Sequence, residues 1–269
     1  MIPIRTTLVT VDASIPSCYS DGHGGYKPLA SLSSGRMVPE AASGLLLLHR
    51  ATIAAGSVHR VTDCFRSLDV QKAARAKYDR WVAAGKPSVM IKDANGKSVP
   101  NPAFDSSTMK SDYVAAPGYS NHEAGRAVDD TTSALSFPGV SANQQLDRFW
   151  ELARPLGWTP IIKEATEGVS ENWHFDFWGE WTRVKEVYGY AVASMCGHLD
   201  IGIGVYSDDL DKLLQAQLHR AGIDVGPIDG AIGPKTRAGA KYAGINADAP
   251  AWDKLFALPS SGPTVIWRG

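Results

Sequence analysis

The chain has 269 residues, which allows one large domain or two unequal ones. Apolar residues make up 44% and charged residues 20%, a balance typical of globular proteins and unlike that of disordered chains. The 27 basic and 28 acidic side chains give a formal net charge of −1, which argues against binding nucleic acid or an anionic membrane through bulk charge. We therefore expect recognition by a shaped local site.

Three cysteines are too few for a disulfide scaffold, and no CxxC pair is present to hold a metal. One disulfide with a spare thiol is possible, but three reduced, packed thiols are the favoured interpretation. The N-terminus has no apolar run of signal-peptide length, and the longest nonpolar stretch, residues 41–49, is too short to span a bilayer. We expect no membrane insertion and no standard export.

The first 197 residues mix helical and strand patterns without a regular βαβ alternation. Residues 1–40 are rich in Gly, Ser and Pro and predict loops with few regular elements. Apolar periodicity predicts helices over residues 40–56, 70–84, 143–156 and 181–192, with Val70 on the apolar face of the second. Composition predicts strands over 58–65 and 158–165, and mostly loop with a short hairpin over 85–119. The pattern favours an α+β domain over a doubly wound sheet.

The sequence changes character after Cys196, where HLDIGIGVYS indicates a linker. A helix is predicted from about residue 208, ended by Gly222, and Thr236 is predicted to cap a second short helix. We place a domain boundary near residue 198, which separates residues 1–197 from a small module over 198–269 with its core at 208–244. The predicted buried stripe of its first helix is Leu210, Leu213, Leu214 and Leu218.

His122 and Asp129 are the first pair of candidate metal ligands. Seven residues apart on one helix they would be separated by about 10 Å, and on one straight strand they would face opposite sides. They converge only if the chain turns between them, which Gly125 permits. A short strand is then predicted to carry Asp129 inward.

Glu171 and His174 supply the remaining parts of a catalytic metal site. Two histidines and one aspartate leave the fourth tetrahedral position of Zn²⁺ open for water. A glutamate beside that water can move its proton to a leaving amine. Taken singly, such a histidine is more often packed than metal-bound, and acidic residues such as Asp130 and Asp176 are usually solvated.

Three segments in order resemble one family. SNHEAGRAVD (residues 120–129) is similar to the S-x-H-x-x-G-x-A-x-D motif of zinc D-alanyl-D-alanine carboxypeptidases and their relatives. These relatives include vancomycin-resistance D,D-peptidases and the L-alanoyl-D-glutamate endopeptidases of phage endolysins. ENWHFDF (171–177) resembles their E-x-W-H motif, and DCFRSLDVQ (63–71) resembles their G-Y-R-S-x-x-x-Q segment. The resemblance spans roughly residues 58–180.

The resemblance implies a fold and a set of residue roles. The fold is a small, mostly antiparallel sheet flanked by helices, as in zinc D,D-peptidases. The implied ligands of one Zn²⁺ ion are His122, Asp129 and His174, with Glu171 as the catalytic base. The substrate-side residues are Arg66, which steadies the developing oxyanion, Ser120, which orders the loop before His122, and Gln71, which packs or bonds near Arg66.

Two positions depart from the family pattern. Cys64 and Phe65 stand where Gly-Tyr is usual, so a tyrosine hydroxyl is lost there. Asp176 stands where some relatives carry a basic residue, which bears on recognition of a terminal carboxylate. The departure at Asp176 therefore leaves open whether the enzyme trims chain ends or cuts within the peptide.

Residues 213–240 resemble a second family, the three-helix peptidoglycan-binding modules, through L-Q-x-x-L and D-G-x-F-G-x-x-T-x-x-A patterns. Ile232 replaces the usual Phe, and the final F-Q is missing. This likeness predicts a small all-α module that binds wall. The alternative is a helical appendage that packs on the catalytic domain.

The expected function is that of a zinc metallopeptidase that hydrolyses amide bonds of wall stem peptides, with D,D-carboxypeptidase or endopeptidase chemistry. The absence of a visible signal peptide favours a phage-type endolysin that stays in the host cytoplasm until its release to the wall. Peptidoglycan is the expected partner, and a monomer is expected. The alternative is a non-catalytic peptidoglycan-binding protein with a structural or vestigial metal site. A serine D,D-peptidase is excluded because SxxK, SxN and KTG do not occur in order.

Overall fold

The computed structural model describes residues 2–20, 26–162, 171–205, 208–262 and 264–268. Within these ranges the strands are β1 (Val9–Thr10), β2 (Ser17–Ser20), β3 (Tyr26–Leu29), β4 (Arg36–Met37), β5 (Val61–Asp63), β6 (Met90–Lys92), β7 (Ser98–Pro100), β8 (Ala127–Asp130), β9 (Trp158–Pro160), β10 (His174–Phe177), β11 (Ile223–Asp224) and β12 (Trp267–Arg268). The helices are α1 (Pro39–Ala54), α2 (Leu68–Ala83), α3 (Gln145–Ala153), α4 (Thr182–Tyr188), α5 (Tyr190–Asp200), α6 (Asp209–Arg220), α7 (Pro234–Tyr242) and α8 (Trp252–Phe256).

The main sheet has the strand order β3-β2-β5-β8-β10-β9. Its neighbouring strands are antiparallel, except for β2 and β5, which are parallel. Side chains alternate between the two faces of a strand. Val128 and Phe175 are fully buried in the apolar core, so Asp129 and His174 lie on the opposite face. This alternation separates the core of the sheet from its chemistry.

Helices α1 and α3 cover the apolar face of the sheet. Leu45 and Leu48 of α1 and Phe149 of α3 are completely buried there. The ring of Phe149 meets Phe175 of β10 edge to face, with centroids 5.2 Å apart. Each such buried side chain contributes about 1.5–3 kcal/mol, which fixes β8 and β10 firmly against the helices.

A second apolar cluster joins α4 and α5, which follow the main sheet, to α6. Trp181 and Leu199, on the approach to α4 and near the end of α5, pack in the same cluster as Leu213 of α6. The other face of α6 contributes to a third cluster, which includes Leu218, with β11, α7 and α8. Helix α6 is therefore shared between two cores.

Buried charges reinforce the same contact. Glu180 accepts from Arg126 at 3.4 Å and from Arg220 of α6 at 3.2 Å. Asp200, at the end of α5, is fully buried and accepts from Arg5 at 2.5 Å and from Gln217 of α6 at 2.8 Å. Because a buried charge is costly without partners, this network holds α5 and α6 in one arrangement.

The predicted α+β class is confirmed, and four of the five neighbouring pairs in the main sheet are antiparallel. The helices predicted near residues 40–56, 70–84 and 143–156 are present as α1, α2 and α3. The predicted hairpin is the β6–β7 pair, which turns at Asn95-Gly96. The three cysteines are buried and unpaired, as favoured from the sequence.

Several local predictions are wrong. The helix predicted over 181–192 is divided at Gly189 into α4 and α5, and α5 continues to Asp200 across the start of the predicted linker. The strand predicted over 58–65 covers only Val61–Asp63. Of the strand predicted over 158–165, only Trp158–Pro160 is a strand within residues 158–162. Residues 163–165 lie outside the described residues. Within residues 1–40, where the composition predicts loops with few regular elements, β2 and β3 extend the main sheet.

The predicted faces of two helices also differ. In α2, Val70 of the predicted apolar face is 55% exposed. In α6, Leu210 is exposed while Leu213, Leu214 and Leu218 are buried. The C-terminal region has the three predicted helices, but it also has a parallel β11–β12 pair, and Gly233 rather than Thr236 precedes α7.

The predicted boundary near residue 198 falls inside α5, whose last residues are buried. The division into two domains stays a prediction. Among the described residues, no helix has the length and apolar character needed to cross a membrane.

Candidate metal centre

Two candidate ligands are brought together by strand pairing. In the antiparallel β8–β10 pair, Asp129 lies directly opposite His174. Asp129 Oδ1 is 3.0 Å from His174 Nδ1. Both side chains project from the face of the sheet opposite the apolar core.

His122 reaches the same point through a turn. Residues 121–125 form this turn, and Gly125 has a left-handed φ of +64°. The carbonyl of Gly125 accepts from the N–H of Val38 at 3.0 Å, which anchors the turn before β8 begins. His122 Nε2 then lies 3.3 Å from Asp129 Oδ1. The predicted turn at Gly125 and the predicted short strand bearing Asp129 are confirmed.

A backbone carbonyl orients the ring of His122. His122 Nδ1 lies 2.5 Å from the carbonyl oxygen of Cys64. A carbonyl only accepts, so Nδ1 carries the proton and Nε2 keeps its lone pair toward Asp129. Cys64 therefore acts on the site through its main chain, while burial raises the pKa of its thiol well above the ordinary value.

The ring of His174 is held from both sides by carboxylates. Its Nδ1 faces Asp129, and its Nε2 lies 2.9 Å from Asp176 Oδ1. Burial lowers the pKa of His174, but Asp176 and Asp129 outweigh burial and raise this pKa well above its usual value. Burial opposes ionisation of Asp129, but the two histidines outweigh it and hold the pKa of Asp129 well below its usual value.

The donor set fits a divalent metal. One ligand atom from each of His122, Asp129 and His174 lies within 4.8 Å of the other two. Two imidazole nitrogens and one carboxylate oxygen, with an open position on the cleft side, match a catalytic Zn²⁺ site. The hydrogen bonds of the outer ring nitrogens fix which nitrogen faces the metal.

The three residues lie in the wall of a cleft of about 130 Å³. Every residue predicted for the site lines it: Arg66, Gln71, Ser120, His122, Asp129, Glu171 and His174. Lys110, residues 112–115 and Trp173 also line the cleft, where Tyr113 is 65% exposed and Trp173 is 41% exposed. The cleft therefore presents two exposed aromatic rings beside the candidate ligands.

Glu171 occupies a strained position beside the ligands. It has a φ of +63°, which is rare for a residue with a Cβ. Its carbonyl accepts from the N–H of His174 at 3.0 Å, so the turn that carries Glu171 leads directly into β10. The side chain is half-buried and lines the cleft. Strain of this kind concentrates at functional sites.

Arg66 is fixed by two partners at the end of β5. Its guanidinium donates to Asp63 at 2.8 Å and to Gln71 at 3.1 Å. Gln71 is fully buried and also donates to the carbonyl of Ala115, which ties α2 to another segment that lines the cleft. The backbone N–H of Arg66 donates to the carbonyl of His122 at 3.1 Å. A cation is thus held at a set position in the cleft.

Ser120 is buried at the start of the His122 turn. Its carbonyl accepts from the N–H groups of Glu123 and Ala124, at 3.0 and 3.3 Å. Glu123 is fully buried beneath the turn, and its carboxylate accepts from the N–H of Gly118 at 2.9 Å. Burial raises the pKa of Glu123 to about 7. These contacts order the loop that presents His122.

The expectation that Asp130 and Asp176 are solvated is wrong, since each is only 2% exposed. Asp130 contacts His59 on the core side of the sheet, and Asp176 contacts His174 on the site side. The two-residue period of a strand would have placed Asp176 beside His174. Tyr190 also lines the cleft, and no sequence pattern indicated it.

Comparison with known proteins agrees with this geometry. The sequence model of the VanY family, described as D-alanyl-D-alanine carboxypeptidase, matches residues 34–180. The chain belongs to this family. The matched range contains all seven predicted site residues, so the VanY segment carries the whole candidate centre. As a member of this family, the chain belongs among the hydrolytic peptidases that act on peptidoglycan.

Two solved structures are similar to this VanY-family chain. The LdcB LD-carboxypeptidase, a structure described as revealing the molecular basis of peptidoglycan recognition, has 18% identity and a TM-score of 0.38 over 64% of this chain and 67% of that one. A mutant of the vancomycin-resistance D,D-pentapeptidase VanY from a VanB-type cassette, in complex with Zn(II), has 22% identity and a TM-score of 0.33 over 71% and 92%. No curated protein sequence gives a significant match.

Proposed function

We propose that the chain is a zinc-dependent hydrolase of the amide bonds in peptidoglycan stem peptides. One Zn²⁺ ion is held by His122, Asp129 and His174. The observation that supports this function is the convergence of these three side chains in a cleft that Glu171 and Arg66 also line. A site with only a structural metal has no need of a free base and a fixed cation on its open side.

The roles of the two remaining residues follow from their positions. When bound, zinc supplies Lewis acidity, which polarises an amide carbonyl and lowers the pKa of an attacking water. Glu171 takes a proton from the water as the water oxygen bonds to the amide carbonyl carbon. It then gives a proton to the leaving amine nitrogen as the C–N bond breaks. Arg66 donates hydrogen bonds to the carbonyl oxygen as negative charge develops there.

The test of this function is digestion of defined muropeptides by the zinc-loaded chain, followed by mass spectrometry. We expect hydrolysis by the wild type, and its loss on chelation or in Glu171→Gln, which keeps the shape of the base but removes its basicity. Glu151→Gln, an exposed glutamate on α3, is the matched control and is expected to keep full activity. Full activity of the metal-stripped chain or of Glu171→Gln would reject the mechanism.

The same digests identify the bond that is cleaved. Free D-alanine indicates D,D-carboxypeptidase action, whereas split stems or cross-bridges indicate endopeptidase action. We propose the role of a phage-type lysin, held in the host cytoplasm until release. This role predicts endopeptidase products, because lysis gains more from cutting cross-links than from trimming tails. A carboxypeptidase product pattern alone would contradict that role.

Residues 198–269 are proposed to bind peptidoglycan and so raise the local concentration of substrate. Support comes from the resemblance of residues 213–240 and from the apolar cluster that α6, α7 and α8 share. Full-length Glu171→Gln is expected to sediment with purified wall, with or without chelator, since this binding does not need the metal. Failure to sediment would contradict wall binding, and sedimentation by a zinc-loaded wild type that hydrolyses nothing would favour a non-catalytic binding protein.

A further inference from the structure

We propose that Asp176 is a positioning residue that fixes the ring of His174 for the metal, and that Tyr190 supports it from outside the VanY segment. The inference rests on the proposed function, because it takes His174 to be a zinc ligand. It adds two residues that neither the motif resemblance nor the family comparison assigns to the site.

His174 and Asp176 lie two residues apart on β10, so their side chains share one face of the strand. Asp176 Oδ1 lies 2.9 Å from His174 Nε2. A carboxylate accepts the Nε2 proton, and the opposite nitrogen, Nδ1, is thereby left to face Asp129 and the metal position.

Asp176 is buried. It is 2% exposed and does not line the cleft, so its carboxylate has no access to substrate. A buried carboxylate needs hydrogen-bond donors to offset its lost hydration. Those donors, rather than a ligand or solvent, therefore define its role.

Asp176 accepts hydrogen bonds from two further side chains. Asn121 Nδ2 donates to Asp176 Oδ1 at 2.8 Å, and the hydroxyl of Tyr190 donates to the same oxygen at 3.3 Å. Asn121 directly precedes His122, so one carboxylate ties the turn of the first ligand to the strand of the third. A change at Asp176 should therefore disturb two ligands together.

Tyr190 is the first residue of α5 and lies beyond residue 180, where the family match ends. Its ring meets Trp178 edge to face, with centroids 5.2 Å apart, which sets the direction of the hydroxyl. The helix that leads to the C-terminal region thus contributes one contact to the support of the metal site.

The chain also offers a matched control. Asp130 and His59 form a second buried carboxylate–histidine pair, with Oδ2 and Nε2 2.7 Å apart. Asp130 directly follows the ligand Asp129, but this pair lies on the core side of the sheet, on the face opposite the ligand side chains. Asp130→Asn and Asp176→Asn should lower the stability of the fold to a similar extent. Only Asp176→Asn should lower the affinity for Zn²⁺.

The experiment is competition for Zn²⁺ between the full-length chain and a fluorescent chelator of known affinity. Removal of an outer partner of a metal-bound histidine weakens metal binding by about 10–100-fold, and we expect this loss in Asp176→Asn. Tyr190→Phe removes only one of the hydrogen bonds that the Asp176 carboxylate accepts, and it is expected to weaken Zn²⁺ binding by about 2–10-fold. Asp130→Asn is expected to bind Zn²⁺ as the wild type does.

Each outcome bears on a stated part of the inference. Wild-type affinity in Asp176→Asn, or an equal loss in Asp130→Asn, would overturn the positioning role. Wild-type affinity in Tyr190→Phe would overturn the contribution of α5, and this variant decides the matter if Asp176→Asn does not fold. Absence of Zn²⁺ binding by the wild type would instead reject the proposed function itself, so the two failures are distinguishable.

Discussion

Asp129 and His174 face each other across two antiparallel strands, with Oδ1 and Nδ1 3.0 Å apart. The pair lies between α1 and α3, which pack behind the sheet, and the open cleft in front of it. Because the strands are held by their backbone ladder and by the buried Val128 and Phe175, the two ligands are positioned before any metal binds. Such preorganisation lowers the cost of metal binding.

Replacement of Asp129 tests the centre directly. Outer partners alter metal affinity by about 10–100-fold, so loss of a direct ligand in Asp129→Asn should weaken Zn²⁺ binding by more than about 100-fold. Equilibrium dialysis with metal analysis measures this change. Asp79→Asn, an exposed aspartate on α2, is the control and should keep wild-type affinity. Unchanged zinc content in Asp129→Asn would show that the metal is held elsewhere.

Arg66→Lys tests the cation at the end of β5. A lysine ammonium cannot reproduce the planar fork that Asp63 and Gln71 hold, so less charge is directed at the carbonyl oxygen. We expect kcat to fall by about 100- to 1,000-fold, the usual cost of losing one oxyanion donor, with zinc affinity unchanged. Arg148→Lys on the exposed surface of α3 is the control. A wild-type kcat in Arg66→Lys would remove Arg66 from the mechanism.

Gly125→Ala tests the turn that presents His122. A left-handed φ costs a residue with a Cβ about 1–2 kcal/mol. At Gly125 a Cβ would also lie 2.4 Å from Leu8 Cδ2 and 3.3 Å from the backbone nitrogen of Val38. Gly96→Ala has a similar φ, +76°, but meets no atom within 4 Å and is the matched control.

We expect Gly125→Ala to lower the free energy of unfolding by about 1–3 kcal/mol more than Gly96→Ala does, as overpacking usually costs. Its zinc affinity should also fall, because the turn must shift. Urea unfolding and chelator competition measure the two effects. Equal destabilisation by both substitutions would mean that the close contacts at Gly125 carry no cost.

Buried histidines predict loss of stability in acid. Burial lowers the pKa of His198 and of His219 to about 4, from an ordinary value of 6.5. The unfolded chain then binds more protons than the folded chain between about pH 6.5 and pH 4. Stability contributed by the neutral rings is therefore complete above pH 6.5 and is lost as the pH falls through this window.

Between pH 7 and pH 5 each histidine should lower the free energy of unfolding by about 2 kcal/mol. Urea unfolding of the wild type and of His198→Asn at both pH values isolates one of them. The variant should lose about 2 kcal/mol less than the wild type over this interval, since asparagine does not titrate. The same pH dependence in both proteins would show that His198 is solvated.

Much of the fold follows from local patterns. The apolar residues of α1 and α3 recur at helical spacing, and both helices form where that spacing predicts them. Gly189 was missed as a break because the apolar pattern continues through it. Val70 and Leu210 were placed on buried faces because periodicity identifies an apolar stripe without saying whether another element covers it.

The candidate site divides in the same way. His122, Asp129, Glu171 and His174 could be selected from residue type, spacing and resemblance. The average behaviour of aspartates predicts that Asp176 is solvated, whereas its place two residues after His174 on a strand predicts a side chain beside that histidine. Tyr190 carried none, because its contact with Asp176 depends on how α5 packs beside the sheet.

The sequence by itself determined the kinds of ligand, the turn at Gly125 and the order of the elements that carry them. These depend on short-range preferences, which a window of a few residues contains. Only the tertiary structure decided that Asp129 pairs with His174, 45 positions away, that Asp176 is buried behind that ring, and that Tyr190 completes its contacts. Register and burial depend on which distant segments share a core, and no local pattern records that choice.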